Sequence, residues 1–172
     1  MKDIMHAMRK RSGFTYGDTK MRMVTRKKVL IIPYIGQNME KVLMVSDVKT
    51  NEWGFISGGV KKHESSFQAA ERELTEETSG IFRNIDVRRS KVDVFYTLYR
   101  PPELLKIDKT RNEIVRSMYT VYMYELDEVP PLGQFVSNKE VNDIQMKPYH
   151  EFKNVWKFCD DFYNSYLVKQ TR

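Results

Sequence analysis

Gly58-Gly-Val-Lys-Lys-His-Glu64-Ser-Ser-Phe-Gln-Ala-Ala-Glu71-Arg72-Glu73-Leu74-Thr-Glu76-Glu77-Thr-Ser79-Gly80-Ile81 is the stretch on which the reading of this 172-residue chain turns. From Ser65 to about Ser79 the apolar spacing changes from period two to about 3.6, Ser65 or Ser66 offers an N-cap, and Gly80 offers a stop, so the stretch predicts a helix. At about 100° per residue, Glu73, Glu76 and Glu77 share one arc of roughly 100°. Phe67, Ala70, Leu74 and Thr78 lie on the adjacent arc, an apolar stripe for the core with the carboxylates held at its rim.

Like charges at this spacing destabilise a helix, increasingly so as they are desolvated, and therefore call for a cation. Arg72 is adjacent in sequence, but a hard divalent ion with oxygen ligands is the natural occupant of a carboxylate cluster. Mg²⁺ shares its shell between carboxylates and substrate phosphates and lowers the pKa of an attacking water, which points to hydrolysis at phosphorus. Taken alone, three glutamates on a helix read more readily as an ordinary solvated face. The surrounding residues decide between the two.

The stretch resembles the Nudix box, Gly-x5-Glu-x7-Arg-Glu-U-x-Glu-Glu-x-Gly-U with U a bulky apolar residue, and Gly58, Glu64, Arg72, Glu73, Leu74, Glu76 and Glu77 match it in register. At average usage of roughly 5–10% per residue type, the six exact matches arise by chance with a probability on the order of 10⁻⁷ per start position, so coincidence is a poor explanation. One departure stands out. Ser79 occupies the position of the family's glycine, with Gly80 and Ile81 one place later, and a helix longer by one residue would account for it. The resemblance implies that Glu73, Glu76 and Glu77 bind Mg²⁺ or Mn²⁺, that Gly58 offers a carbonyl near them, that Arg72 braces a carboxylate, and that Glu64 stabilises the loop rather than reacting. Nudix enzymes often use a further acid beyond the box as ligand or general base. Glu140, in Asn138-Lys-Glu140-Val-Asn-Asp-Ile144, is the candidate, with Glu125, Asp127 and Glu128 as a competing group. The catalytic set expected on this basis is Arg72, Glu76, Glu77 and Glu140.

Outward from the box, Val29–Ile35 and Lys41–Ser46 read as a strand pair around a polar turn, and Val87–Tyr99 and Ser117–Leu126 as further strands. Phe152, Val155, Trp156, Cys159, Phe162, Tyr163 and Tyr166 fall at helical spacing, which predicts an amphipathic helix over about Glu151–Val168 covering the sheet, with Cys159 a core residue. The order of elements indicates an α/β fold, and the resemblance makes it a Nudix-type α/β/α sandwich with a mixed β-sheet. Residues 1–25 read as a basic N-terminal arm and 26–172 as one domain.

A content of 41% hydrophobic residues suits one core. The net charge of +6 favours anionic partners, and it is concentrated: residues 1–28 hold nine basic and two acidic residues, a net of +7. A lone cysteine excludes an internal disulfide and, with three scattered histidines, gives no zinc-ligand spacing. Neither a secretory signal nor a membrane-spanning apolar run is evident, so a soluble, cytoplasmic protein without membrane partners is expected.

Trp53-Gly54-Phe55 resembles the lead-in of mRNA-decapping and diphosphoinositol-polyphosphate members of the family. With the basic arm, which offers phosphate contacts and the rings of Phe14 and Tyr16 for RNA, it favours capped RNA as substrate and release of m⁷GDP from the 5′ cap. Two alternatives stay open. One is hydrolysis of a small diphosphate such as ADP-ribose, a dinucleoside polyphosphate or a diphosphoinositol polyphosphate. The other is a Nudix-fold module that binds RNA or nucleotide without cutting it, against which the intact glutamates count.

Overall fold

The longest strand, β2 (Thr19–Ile35), organises the sheet. The computed structural model describes residues 14–16, 19–36, 39–83, 96–99 and 106–148. Val29–Ile32 form the fully buried heart of β2, where β-branched side chains fit a pleated surface packed on both sides. The strand begins at Thr19, well before the apolar run at Val29 and before Arg26, where the sequence reading starts the domain. Its amino-terminal half is polar, and the ladder holding it is non-local: β2 runs parallel to β8 (Glu113–Glu125) from the Arg22↔Glu113 pair to Tyr34↔Glu125.

Besides β8, β2 pairs in succession with β1 (Phe14–Tyr16), β5 (Ile56–Gly59) and β3 (Lys41–Asp47), all antiparallel. The expected Val29–Ile35 and Lys41–Ser46 pairing is therefore confined to Tyr34↔Val42 and Ile35↔Lys41. Beyond that point β3 turns to β4 (Trp53–Gly54) and to β9 (Val141–Pro148). β6 (Tyr96–Tyr99) and β7 (Lys106–Asp108) pair with β8. The sheet is mixed, as the sequence indicates.

The helix α1 (Ser66–Glu77) lies on one face of this sheet. Ala69, Ala70 and Leu74 pack with Val29 and Ile31 of β2, Leu43 and Val45 of β3, and Tyr122 and Tyr124 of β8. The opposite face is buried too, by Leu30, Ile32, Met44, Phe55, Val121 and Met123 among others. The helix predicted over Glu151–Val168, including Cys159, lies outside the described residues, as do residues 1–13 of the basic arm and Val87–Phe95 of a predicted strand.

Candidate active site

Both ends of α1 are fixed by local chemistry. At the start, the Ser65 hydroxyl accepts from the Gln68 N–H at 3.1 Å while the Gln68 side chain accepts from the Ser65 N–H at 2.8 Å, a reciprocal capping box. At the finish, the Gly80 N–H reaches the Thr75 carbonyl at 2.9 Å and the Ser79 N–H reaches Glu76 at 3.4 Å, the bond pair of a Schellman motif. That motif places its penultimate residue in the left-handed region, and Ser79 is there with φ 53°. The helix is thus not longer by a residue, contrary to the sequence expectation. Ser79 itself adopts the backbone conformation for which the box reserves glycine.

Before the helix, β5 brings Gly58 against it. The Glu73 carboxylate fills the space where a Cβ on Gly58 would stand, 1.9 Å away, so only glycine fits here without displacing Glu73. Arg72 then gathers the box into one network. Its Nη1 donates to Glu73 at 2.6 Å and to Glu76 at 3.1 Å, its Nη2 to the Gly59 carbonyl at 2.9 Å, and Nη2 and Nε grip Glu64 at 2.8 and 3.2 Å. Glu64 also accepts from the Lys61 N–H at 2.6 Å. These bonds, chiefly from Arg72, hold the Glu64 carboxyl down at about 2, consistent with a loop-fixing role rather than proton transfer.

Glu73, Glu77 and Glu140 each bring a carboxylate oxygen to within 4.8 Å of the others. Glu140 arrives from the turn that leads into β9, with its carbonyl accepting from the Val48 N–H at 2.9 Å. Glu76, grouped with Glu73 and Glu77 in the sequence reading, stands outside this trio: its side chain is 56% exposed and its carboxylate rests on Arg72. Glu125, Asp127 and Glu128 are exposed at the end of β8 and are not part of the trio either.

The electrostatics of the trio favour a proton or a bound cation. Burial pushes the Glu77 carboxyl up to about 8, helped by the nearby Glu73 charge and only weakly opposed by the Ser57 N–H at 3.4 Å. Glu73 is raised as well, by burial, despite Arg72. Among the described residues no Lys or Arg pairs with Glu77 or Glu140. Oxygen-only donors, partly buried and short of positive charge, fit a hard divalent ion such as Mg²⁺ or Mn²⁺.

Residues 24–166 match the NUDIX domain family, a span that takes in β2 from Val24 onward, the strands from β3 to β9 and the helix with its trio. The chain belongs to the Nudix family. It is a Nudix hydrolase by that membership, and its α/β fold agrees. Among solved structures, the fold is similar to that of a C. elegans Ap4A hydrolase in a binary complex, with a TM-score of 0.58 at 14% identity over 85% of this chain and 98% of that one. It is similar to an E. coli dihydroneopterin triphosphate pyrophosphohydrolase, with a TM-score of 0.56 at 18% identity over 78% and 89%. It is also similar to the NUDIX domain of Shewanella oneidensis NrtR complexed with ADP ribose, with a TM-score of 0.51 at 18% identity over 74% and 75%. No curated protein sequence matches the chain. At such identities the likeness to the solved structures is one of fold. No helix among the described residues is long and apolar enough to cross a membrane.

Asn138 escaped the sequence reading, which treated it only as part of the lead-in to β9. Its side chain bonds both to the Glu140 turn and to the carbonyls of Glu76 and Glu77. An Asn two residues before an acid and a strand is a turn signal, and nothing in the sequence couples it to a helix end so far away in the chain.

Proposed function

We propose that this Nudix hydrolase cleaves a diphosphate linkage in a small nucleotide-type substrate, such as ADP-ribose or a dinucleoside polyphosphate, with Glu73, Glu77 and Glu140 holding the divalent ion. The observation that carries the reading is the trio itself, three carboxylate oxygens within 4.8 Å of one another, of which only Glu73 has a Lys or Arg partner, Arg72, among the described residues. A bound Mg²⁺ or Mn²⁺ supplies charge for the substrate phosphates and lowers the pKa of a coordinated water. Gly58 leaves room for Glu73, and Arg72 keeps Glu73 and Glu76 in fixed rotamers. Glu76, exposed and bonded at its carboxylate by Arg72, is placed to meet solvent and substrate or a second ion.

A small substrate is preferred to capped RNA on two grounds. The similar folds are described with Ap4A, ADP ribose and dihydroneopterin triphosphate. Trp53-Gly54-Phe55, which suggested the cap, also has a structural use. Phe55 is buried in the core on the sheet face away from α1, Trp53 packs against that core, and Lys147 Nζ lies 3.8 Å over the Trp53 ring.

Incubation with Mg²⁺ or Mn²⁺ and, separately, ADP-ribose, diadenosine tetraphosphate and capped RNA, with E77Q as control, tests the proposal. Cleavage of a small diphosphate that is lost in E77Q is the expected result. Release of m⁷GDP from capped RNA alone would restore the decapping reading, and turnover unchanged in E77Q would remove the trio from the chemistry.

A further inference from the structure

Asn138 uses both ends of its amide, and each end faces a different half of the site. Its Oδ1 accepts from the backbone N–H groups of Glu140 and Val141, each at 2.9 Å, and its own N–H donates to the Val141 carbonyl at 3.0 Å. This is a side-chain-closed turn with Glu140 inside it. The Nδ2 group points the other way. It donates to the Glu76 carbonyl at 3.2 Å, the Glu77 carbonyl at 3.4 Å and the Ser79 hydroxyl at 3.4 Å. The last carbonyls of a helix have spare acceptor capacity, and although Glu76 already accepts from the Ser79 N–H, the amide finds acceptors where α1 stops, on the backbone of two glutamates of the box.

Ser79 completes the junction, with its hydroxyl donating to the Val136 carbonyl. A non-glycine residue in the left-handed region costs about 1–2 kcal/mol, which glycine would avoid. The hydroxyl offsets that cost by tying the helix exit to the 136–138 backbone and by accepting from Asn138. The departure from the Nudix box thus lies in the same contact as the residue that orders the Glu140 turn.

We propose that Asn138, assisted by Ser79, is a positioning residue: a clasp between the end of α1 and the turn before β9 that holds the Glu140 carboxylate against Glu73 and Glu77. The inference rests on the reading of those three acids as the ion-binding trio. It needs an amide at position 138, because one end must accept and the other donate. A serine there keeps an acceptor for the turn but is too short to span to the helix.

The full-length chain is titrated with Mn²⁺, and the free ion is followed by its electron paramagnetic resonance signal, in the wild type, E77Q, E140Q, N138S, S79A and the N138S/E140Q double variant, with thermal unfolding run on each. E77Q is expected to lose Mn²⁺ affinity, which identifies the site. N138S is expected to lose about tenfold, the scale on which residues that orient metal ligands act, and S79A less in the same direction. Once E140Q has removed the carboxylate being positioned, N138S is expected to cost little more affinity, although it still lowers the unfolding midpoint. Should N138S fail to fold, S79A with S79A/E140Q makes the same comparison. Equal losses with and without E140Q, or no loss at all, would overturn the clasp while the E77Q result left the trio standing. Unchanged affinity in E77Q would overturn both.

Discussion

Gly58 and Glu73 compete for one volume: a Cβ on Gly58 would lie 1.9 Å from the Glu73 carboxylate carbon. The obstacle is the end of a side chain and not backbone, so G58A is expected to move Glu73 rather than break β5. Displacing a site group by about 1 Å is worth on the order of 10²-fold in rate. G58A should therefore lose about that much kcat with only a small change in unfolding midpoint. A collapse of the fold with the remaining native fraction fully active would contradict this account.

Glu77 contributes to the pH response of the metal-free protein. Its carboxyl is raised by burial from 4.5 to about 8, so between these values the native state holds a proton that the unfolded chain has released. Stability attributable to Glu77 is present at low pH and falls as pH rises through that window. Chemical denaturation of the metal-free protein from pH 5 to 9 should show E77Q gaining on the wild type as pH increases. Saturating Mg²⁺ should narrow the gap, because the carboxylate is then charged and matched. Parallel curves for the two proteins would count against a buried, unpaired Glu77.

Arg72 cannot be replaced by lysine without loss. Its planar fork bonds Glu64 through two nitrogens and also reaches Glu73, Glu76 and the Gly59 carbonyl, a pattern that a single ammonium cannot span. Hydrogen bonds to charged groups contribute about 1.5–3 kcal/mol, and R72K should lose roughly one such bond's worth in urea denaturation. Turnover should fall as well, since Glu73 loses its anchor. R72K with full stability and full activity would show the network to be ornamental.

The capping box offers a contrast between stability and chemistry. S65A removes the acceptor for the Gln68 N–H and should cost about 1 kcal/mol in urea denaturation. Ser65 touches none of the three clustered acids, so kcat should stay within a factor of two of wild type. A large drop in kcat would mean that the helix start and the trio are mechanically linked.

The box was legible because its constraints are local: a helix period, a serine cap and charges three and four residues apart place α1 within a residue or two of where it lies. The resemblance singled out Gly58 for its carbonyl and Arg72 as a brace, and the late Glu-Val-x-x-Ile pattern singled out Glu140, whose carboxylate lies near Glu73 and Glu77; that a Cβ on Gly58 would meet Glu73 was not legible. What escaped depends on partners distant in the chain. The amino-terminal half of β2, from Thr19, looks like a basic arm because its order comes from pairing with β8. Ser79 looked like a misplaced helix stop because its hydroxyl's partner, Val136, is far along the chain. Glu76 looked equivalent to Glu73 and Glu77, since an angular wheel does not show which carboxylate Arg72 claims.

The parallel ladder between β2 and β8 also governs when the protein can work. Strand residues that pair as Arg22 and Glu113 are made early and late in synthesis, and the helix end waits for Asn138 across a separation of 62 residues from Glu76. Contacts this non-local form slowly, because loop closure must precede the interactions that reward it. The acids of the box emerge from the ribosome with their helix but without Glu140, so a nascent chain lacks one member of the proposed ion site. Hydrolytic competence should appear only after β9 has been released and has docked on β3, which makes catalysis a late reporter of folding.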